Sequence, residues 1–424
     1  MVKKNEGLEI FAVSNRIDGS INLASLAAIQ GGNALIPLFL FPYLLSTLGA
    51  EKFSVIASFE AFSFIILTLS LYSFDVSGLK KIVESSKQDL KCTANTYYSI
   101  LYARLLIFSG VATLSIFFAA FYSPDMMTVF MVWLAFPLGI TLQSSYYYQA
   151  RSDNLPLAVF VVIPRMATIL FAILFLNKES SVLFASILVS LSYLMSGLVS
   201  IIYLLFSLGF ISPFRLLRKS IVLIKEGYYI FFGGVSVLLY RGSNTLLLNG
   251  LGASPVAISS YAIAEKYIKM IQAVTFPLTQ VYAVRAVRAL ASQKLLEKIN
   301  STLWNNTKYQ VVISFALSVF VLLVSEIICS YQIWDQTREV RNLLALMLFS
   351  VIFGTINYMY GTIGLSSLGQ ERVYARIVFI AGIATVIVSS GLILTISAVG
   401  AAIAYVFGEI FLTFLLLRVI RKLC

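Results

Sequence analysis

The sequence contains no histidine. That absence removes imidazole metal sites, Ser-His and Cys-His nucleophile systems, and histidine proton relays. Cysteine is nearly as scarce: Cys92, Cys329 and Cys424 lie far apart with no CxxC spacing, so neither a disulfide framework nor a zinc site is indicated. No GxxxxGK[ST] phosphate loop and no DxD pair is present, which argues against an ATPase or a metal-dependent nucleotide-sugar transferase. Charge is scarce as well. Asp, Glu, Lys and Arg make up 12% of the chain, against about 25% in soluble domains, whose surface must face water.

Apolar residues fill the space that charge leaves. Hydrophobic residues make up 59% of the 424 and mean hydropathy is +0.90. Uncharged runs such as Ile21 to Ser46 and Phe379 to Val406 exceed the roughly 20 helical residues that cross a bilayer. The fold class is therefore an all-α integral membrane protein. A β-barrel would alternate polar and apolar residues instead. The formal charge of +12 suggests membrane topology rather than nucleic-acid binding, because Lys and Arg gather in cytoplasmic loops. The first twenty residues, broken by Glu6, Glu9, Arg16 and Asp18, do not read as a cleaved signal peptide.

Apolar windows predict about twelve spans: roughly 21–47, 53–75, 97–121, 126–149, 156–176, 183–208, 228–249, 257–283, 308–330, 342–366, 374–396 and 399–419. One set of alternate loops holds Lys80, Lys81, Lys87, Lys91, Arg151, Arg215, Arg218, Lys219, Arg285, Arg288, Arg372, Arg376, Arg421 and others. The opposite set holds only Lys52, Lys178, Arg338 and Arg341. The positive-inside rule makes the rich set, and both termini, cytoplasmic. The tripeptide Leu48-Gly49-Ala50 returns as Leu251-Gly252-Ala253 at the same topological place. This predicts two six-helix lobes, 1–208 and 228–424, joined by a basic cytoplasmic linker at 209–227. Parallel repeats of this kind are a transporter pattern, with substrate held between them.

Ten ionisable residues fall inside the predicted spans: Glu60, Asp75, Arg104, Arg165, Arg241, Glu265, Lys266, Lys269, Glu326 and Glu409. Arg165, Arg241, Lys266 and Lys269 read as mid-depth; at roughly 2.5–3.5 kcal/mol each, four cost about 10–14 kcal/mol on insertion scales. They should pair internally or face a hydrated cavity. Glu265 and Lys269 are i,i+4 neighbours and can neutralise each other. Arg165, Arg241 and Lys266 have no acid at helical spacing, which favours a central cavity of net positive charge and an anionic substrate such as a phosphate. Arg104 can snorkel; it, Arg285 and Arg288 would draw substrate from the cytoplasmic leaflet, or serve only as topology charges. Glu60 and Glu265 are candidate partners for these cations, although Glu60 can serve at most one of them fully; they would also tune the field or carry protons. Gln30, Gly31, Gly32 and Asn33 form a cavity wall or a close helix contact. Pro37, Pro42 and Pro277 kink helices or act as hinges. Tyr146-Tyr147-Tyr148 reads as an interfacial aromatic belt, with sugar stacking as the sharper alternative.

The segment Phe41-Pro42-Tyr43-Leu44-Leu45 through Leu48-Gly49-Ala50-Glu51-Lys52-Phe53 resembles the first-hairpin signature of the O-antigen flippases. These belong to the multidrug/oligosaccharidyl-lipid/polysaccharide exporter superfamily. Tyr261-Ala262-Ile263-Ala264-Glu265-Lys266, with Pro277-Leu278-Thr279-Gln280-Val281, resembles the eighth-span pattern of that family, and Ser367-Leu368-Gly369-Gln370-Glu371-Arg372 its tenth-to-eleventh loop. Tyr147-Tyr148-Gln149-Ala150-Arg151 departs from the Trp-aromatic-Gln-Gly pattern often found there.

The resemblance implies V-shaped lobes in the bacterial cytoplasmic (inner) membrane and a non-enzymatic transporter. The implied substrate is an undecaprenyl-pyrophosphate-linked repeat unit, moved to the periplasmic leaflet by alternating access. It implies no cofactor, although an H+ or Na+ gradient is a candidate for coupling. The implied partners are the lipid-linked oligosaccharide, membrane lipids, an O-antigen polymerase and a chain-length regulator, with no nucleic acid. The alternatives are an ion-coupled drug or metabolite antiporter of the same superfamily and a membrane O-antigen polymerase. Acids in the cavity would favour the first of these. A large outward loop would favour the second, and the outward loops here are short.

Overall fold

The computed structural model describes residues 21–22, 24–72, 74–86, 88–122, 124–292, 299–330, 337–365 and 367–423. Every regular element among the described residues is helical. Leu, Ile, Phe and Ala dominate the runs, and a backbone in hydrocarbon must satisfy its own hydrogen bonds, which a helix does within one segment. Helix α1 (24–35) passes through a wide turn at Ile36–Leu40 into α2 (Phe41–Leu71). Pro37 lies in that turn, where its missing N–H fits a widened backbone. Then follow α3 (Phe74–Ser86), α4 (Leu90–Tyr122), α5 (Met127–Trp133), α6 (Ala135–Gln143), α7 (Ser145–Arg151), α8 (Leu155–Phe175) and α9 (Val182–Leu208). The remainder is α10 (Pro213–Arg241), α11 (Asn244–Gly250), α12 (Pro255–Ser292), α13 (Ile299–Ser330), α14 (Thr337–Met347), α15 (Phe349–Asn357) with a wide turn at Tyr358–Leu365, and α16 (Glu371–Leu423).

Each predicted span overlaps helix, and the breaks have local causes. Gly49 bends α2 at φ 81°, and Gly252 follows α11 at φ 74°, so both copies of the Leu-Gly-Ala turn use backbone that disfavours a Cβ. Ser144 (φ 52°) separates α6 from α7, and Ser397 (φ 52°) folds α16 back on itself. Two inner connections predicted from their charge turn out helical. Phe74, Gly78, Ile82 and Ser85 form the buried stripe of α3, at the spacing of one helix face. Helix α10 starts at Pro213, so residues 213–227 run without a break into the following span.

Among the described residues, eight helical stretches have the length and apolar composition to cross a membrane. Helix α12 is not one of them, because Glu265, Lys266, Lys269 and Gln272 interrupt its apolar run. The expected cytoplasmic N-terminal segment, with Lys3, Lys4 and Arg16, lies outside the described residues.

Contacts divide the chain into two compact units. The first holds the described residues up to Ile36 with Ile66–Leu176 and Leu183–Tyr228; the second holds Pro37–Ile65, Asn177–Val182 and the chain from Tyr229. In the first unit α6 and α9 cross backbone to backbone at Gly139 and Gly197, where an added Cβ on Gly197 would stand 2.1 Å from the Gly139 carbonyl oxygen. Gly32 touches α8 just as closely, a Cβ there meeting Val161 and Val162 at 3.0 Å, so the polar break in α1 contains a tight helix contact. The second unit packs Tyr240, Leu303, Met359, Tyr360, Val378, Leu412 and Leu416 into one apolar core.

Candidate functional site

The second unit collects most of the predicted site, and Pro37–Ile65 packs there against α12. Ser259 on α12 donates to the Ala50 carbonyl at 2.9 Å. One helical turn or more further along α12, Lys266 is ion-paired with Glu60 on α2, and its ammonium lies 4.6 Å from the Phe41 ring centroid. Lys269, nearly one turn on, pairs with Glu265 at 2.6 Å and stands over Phe64. The other oxygen of Glu265 accepts a hydrogen bond from Thr245 at 3.1 Å. The predicted i,i+4 pair therefore forms, tied to α11 as well.

Arg241 ends α10 and reaches Glu409 on α16, with N–O distances of 2.6 and 2.8 Å to one carboxylate oxygen. Asn357, at the end of α15, donates to the other oxygen at 2.7 Å and to the Glu409 carbonyl at 2.9 Å. Thr413 in turn donates to the Asn357 side-chain oxygen at 2.7 Å, which fixes the orientation of that amide. Gly354 makes room for the cluster: a Cβ there would lie 3.2 Å from an Arg241 nitrogen, 3.2 Å from the Gln272 amide and 3.7 Å from Glu409.

These contacts alter the expected charge balance. Arg241, Lys266 and Lys269 match Glu409, Glu60 and Glu265 one for one, so this part of the second unit carries no net charge from them. Glu60 and Glu265 are candidate partners in the sequence, but the match of Glu60 to Lys266, 206 residues away, and of Glu409 to Arg241, 168 residues away, is not legible there. Yet two of the three pairs are lopsided. The Arg241 side chain is 30% exposed over a Glu409 that is fully enclosed, and Lys269 is 43% exposed over a Glu265 at 8%. In these two pairs the basic side chain reaches accessible surface and the acidic one stays inside, whereas Lys266 and Glu60 are both largely enclosed. Asn357 and Gln272 were missed; the only signal for them was an amide inside an apolar run. Glu409 was noticed but left without a partner.

Arg165 and Arg104 belong to the first unit. Arg165 on α8 is fully buried, donates to the Ser192 carbonyl at 3.2 Å and stacks 4.2 Å above the Tyr193 ring. Its Nε and Nη2 have no hydrogen-bond partner among the described residues. Arg104 does not snorkel. It is enclosed, bonded to Asp75 at 2.6 Å and stacked 4.5 Å from Tyr146, because Asp75 at the start of α3 supplies a carboxylate within reach. The side chains of Arg285, Arg288 and Pro277 fall outside the described residues.

The tyrosine run also differs from expectation. Tyr146, Tyr147 and Tyr148 are buried rather than arrayed as a belt. The left-handed Ser144 restarts the helix so that they point inward: Tyr97 packs against Tyr146 and Tyr147, and Tyr148 bonds Ser200 at 2.9 Å.

With this geometry in place, known proteins supply a frame. The family model described as polysaccharide biosynthesis protein matches residues 21–284. A protein of Escherichia coli (strain K12) named "Putative O-antigen transporter" is 22% identical over 427 residues, spanning 96% of this chain and 98% of that one. Among solved structures, an inward-facing multidrug resistance MATE family transporter of the MOP superfamily superposes with TM-score 0.72 at 14% identity, over 93% of both chains. The lipid II flippase MurJ in an inward closed conformation gives TM-score 0.69 at 13% identity, over 96% of this chain and 87% of that one. At such identities the likeness establishes the fold alone, which this chain shares with these two transporters.

Proposed function

Because the chain belongs to the polysaccharide biosynthesis protein family, we propose that it is a flippase, not an enzyme, for a lipid-linked polysaccharide repeat unit. The substrate in this proposal is an undecaprenyl-pyrophosphate-linked O-antigen unit. It crosses from the cytoplasmic to the periplasmic leaflet of the bacterial inner membrane by alternating access. Twelve spans with both termini cytoplasmic belong to the same proposal, as does coupling to an H+ or Na+ gradient. Among known relatives, the Escherichia coli protein is named for O-antigen transport, and MurJ, of like fold, is a lipid II flippase.

The observation that carries the reading is the lopsided ion pairing on α10 and α12. A pyrophosphate needs donors that can be reached without dismantling the protein. Arg241 offers part of a guanidinium fork and Lys269 an ammonium, each held in place by a shielded carboxylate. An organic-cation exporter would present its acids, and in the Arg241–Glu409 and Lys269–Glu265 pairs the acids are the enclosed partners. Arg165 and Arg104 have no accessible surface in this structure, so first contact falls to Arg241 and Lys269. Glu60, bonded to Lys266, is the carboxylate whose protonation would release a cation on α12, which suits a coupling role.

A deletion strain tests the function. Full-length repeat units on the lipid carrier, retained in the cytoplasmic leaflet and released on complementation, are the expected result. Units exported but left unpolymerised would replace the flippase with a polymerase.

A further inference from the structure

A cavity lies in the first unit. It measures about 270 Å³ and is walled by the start of α4, the end of α7 and the end of α9. Tyr147, Tyr148 and Tyr203 form its aromatic side, Leu90, Leu204 and Leu208 its apolar side, and Arg151 and Asp153 its polar side. The lysine and arginine asymmetry puts this end of the bundle at the cytoplasmic face.

Three observations narrow the ligand. First, Arg151 and Asp153 line one cavity with opposite charges, yet neither is in an ion pair among the described residues. Arg151 instead donates to the Tyr147 hydroxyl at 3.1 Å, with its guanidinium 5.8 Å from that ring centroid. Second, the tyrosines are held in place: Tyr148 stacks on Tyr203 at 6.3 Å and bonds Ser200. Third, the cavity is amphipathic, and Phe206 and Phe210, which flank its lining residues Ser207 and Leu208 along the chain, are exposed. Exposed aromatics at a helix end mark the headgroup level of a bilayer.

We propose that this cavity holds the headgroup of a zwitterionic phospholipid with a primary amine, drawn from the cytoplasmic leaflet. Its phosphate bonds Arg151, its ammonium group turns toward Asp153 and the tyrosine faces, and its glycerol backbone leaves along the leucines. A pyrophosphate would meet the uncompensated Asp153 carboxylate. A free sugar would make no use of the apolar side. An anionic headgroup would satisfy Arg151 and leave Asp153 opposed. The site is therefore separate from the one proposed for the transported unit, and its readout is lipid retention rather than transport.

The test is native mass spectrometry of the purified full-length chain, stripped of lipid and titrated with phosphatidylethanolamine, phosphatidylcholine or phosphatidylglycerol. One phosphatidylethanolamine should be retained in preference to the other two. The Arg151→Gln/Asp153→Asn double variant should lose that retention about tenfold, as expected for removing charge-assisted hydrogen bonds. Both side chains are exposed, so folding should survive. Should the double variant still fail to fold, Asp153→Asn alone serves: it keeps the phosphate contact, and the preference over phosphatidylglycerol should fall to parity. Preference for phosphatidylglycerol in the wild type, unchanged retention in either variant, or displacement of the lipid by free N-acetylglucosamine would each overturn the proposal.

Discussion

Removing Arg241 should damage the protein in two separable ways. Glu409 is fully enclosed, and its carboxylate is neutralised by Arg241 alone among the described residues. Asn357 supplies hydrogen bonds but no charge. Arg241→Gln therefore strands a buried anion, a defect worth about 3–5 kcal/mol, against a total stability of about 5–15 kcal/mol. The single variant should melt several degrees lower in detergent and fall in abundance, so its loss of polysaccharide alone says nothing about substrate.

Arg241→Gln with Glu409→Gln removes both charges and keeps amides that can bond each other. Its stability should return to within about 1 kcal/mol of the parent. If Arg241 contacts the pyrophosphate, the double variant will be abundant and thermally near normal, yet will make no long-chain surface polysaccharide in a deletion strain. Normal polysaccharide from the double variant would remove Arg241 from the site. An unshifted melting temperature in the single variant would refute the structural half of the argument.

Other outcomes follow from neighbouring contacts. Asn357→Ala takes two donors from Glu409 and should cost about 1–3 kcal/mol, read as a lower melting temperature; Asn357→Asp should be worse, because it sets a second carboxylate against the first. Gly197→Val drives side-chain atoms into the Gly139 backbone, and the crossing of α6 and α9 should open at a cost of about 1–3 kcal/mol or more, seen as aggregation on size exclusion. Gly252→Ala meets no steric neighbour but must hold φ at +74°, so it should lower stability by about 1 kcal/mol without changing transport.

The sequence displayed its helices because hydrocarbon leaves a chain so few options. Runs such as Val182–Leu208 declare themselves by composition, and Gly49 and Gly252 were visible as turns by their shared tripeptide. Within the site, Lys269 and Glu265 were legible as neighbours on one helix. Glu60 was legible as a candidate partner, but its match to Lys266, and that of Glu409 to Arg241, were not, because pairing across helices depends on packing, which a single sequence does not encode locally. That is why counting cations against nearby acids suggested an excess of positive charge, whereas the structure matches Arg241, Lys266 and Lys269 with one acid each. Tyr146 to Tyr148 looked interfacial for a similar reason: the turn at Ser144 that points them inward rests on one left-handed residue, not on hydropathy. Residues 76–86 and 213–227 read as connections because their charge masked a helical stripe.

The central claim, that reachable cations over shielded acids carry a pyrophosphate-linked glycan across the bilayer, is most directly tested in sealed proteoliposomes. These would contain a labelled undecaprenyl-pyrophosphate oligosaccharide, and an external glycosidase would report which leaflet it occupies. With the parent protein the accessible label should rise from the outer-leaflet share to the whole pool. With Arg241→Gln/Glu409→Gln it should stay at the outer-leaflet share. No rise with the parent, or an equal rise with the variant, would contradict the account.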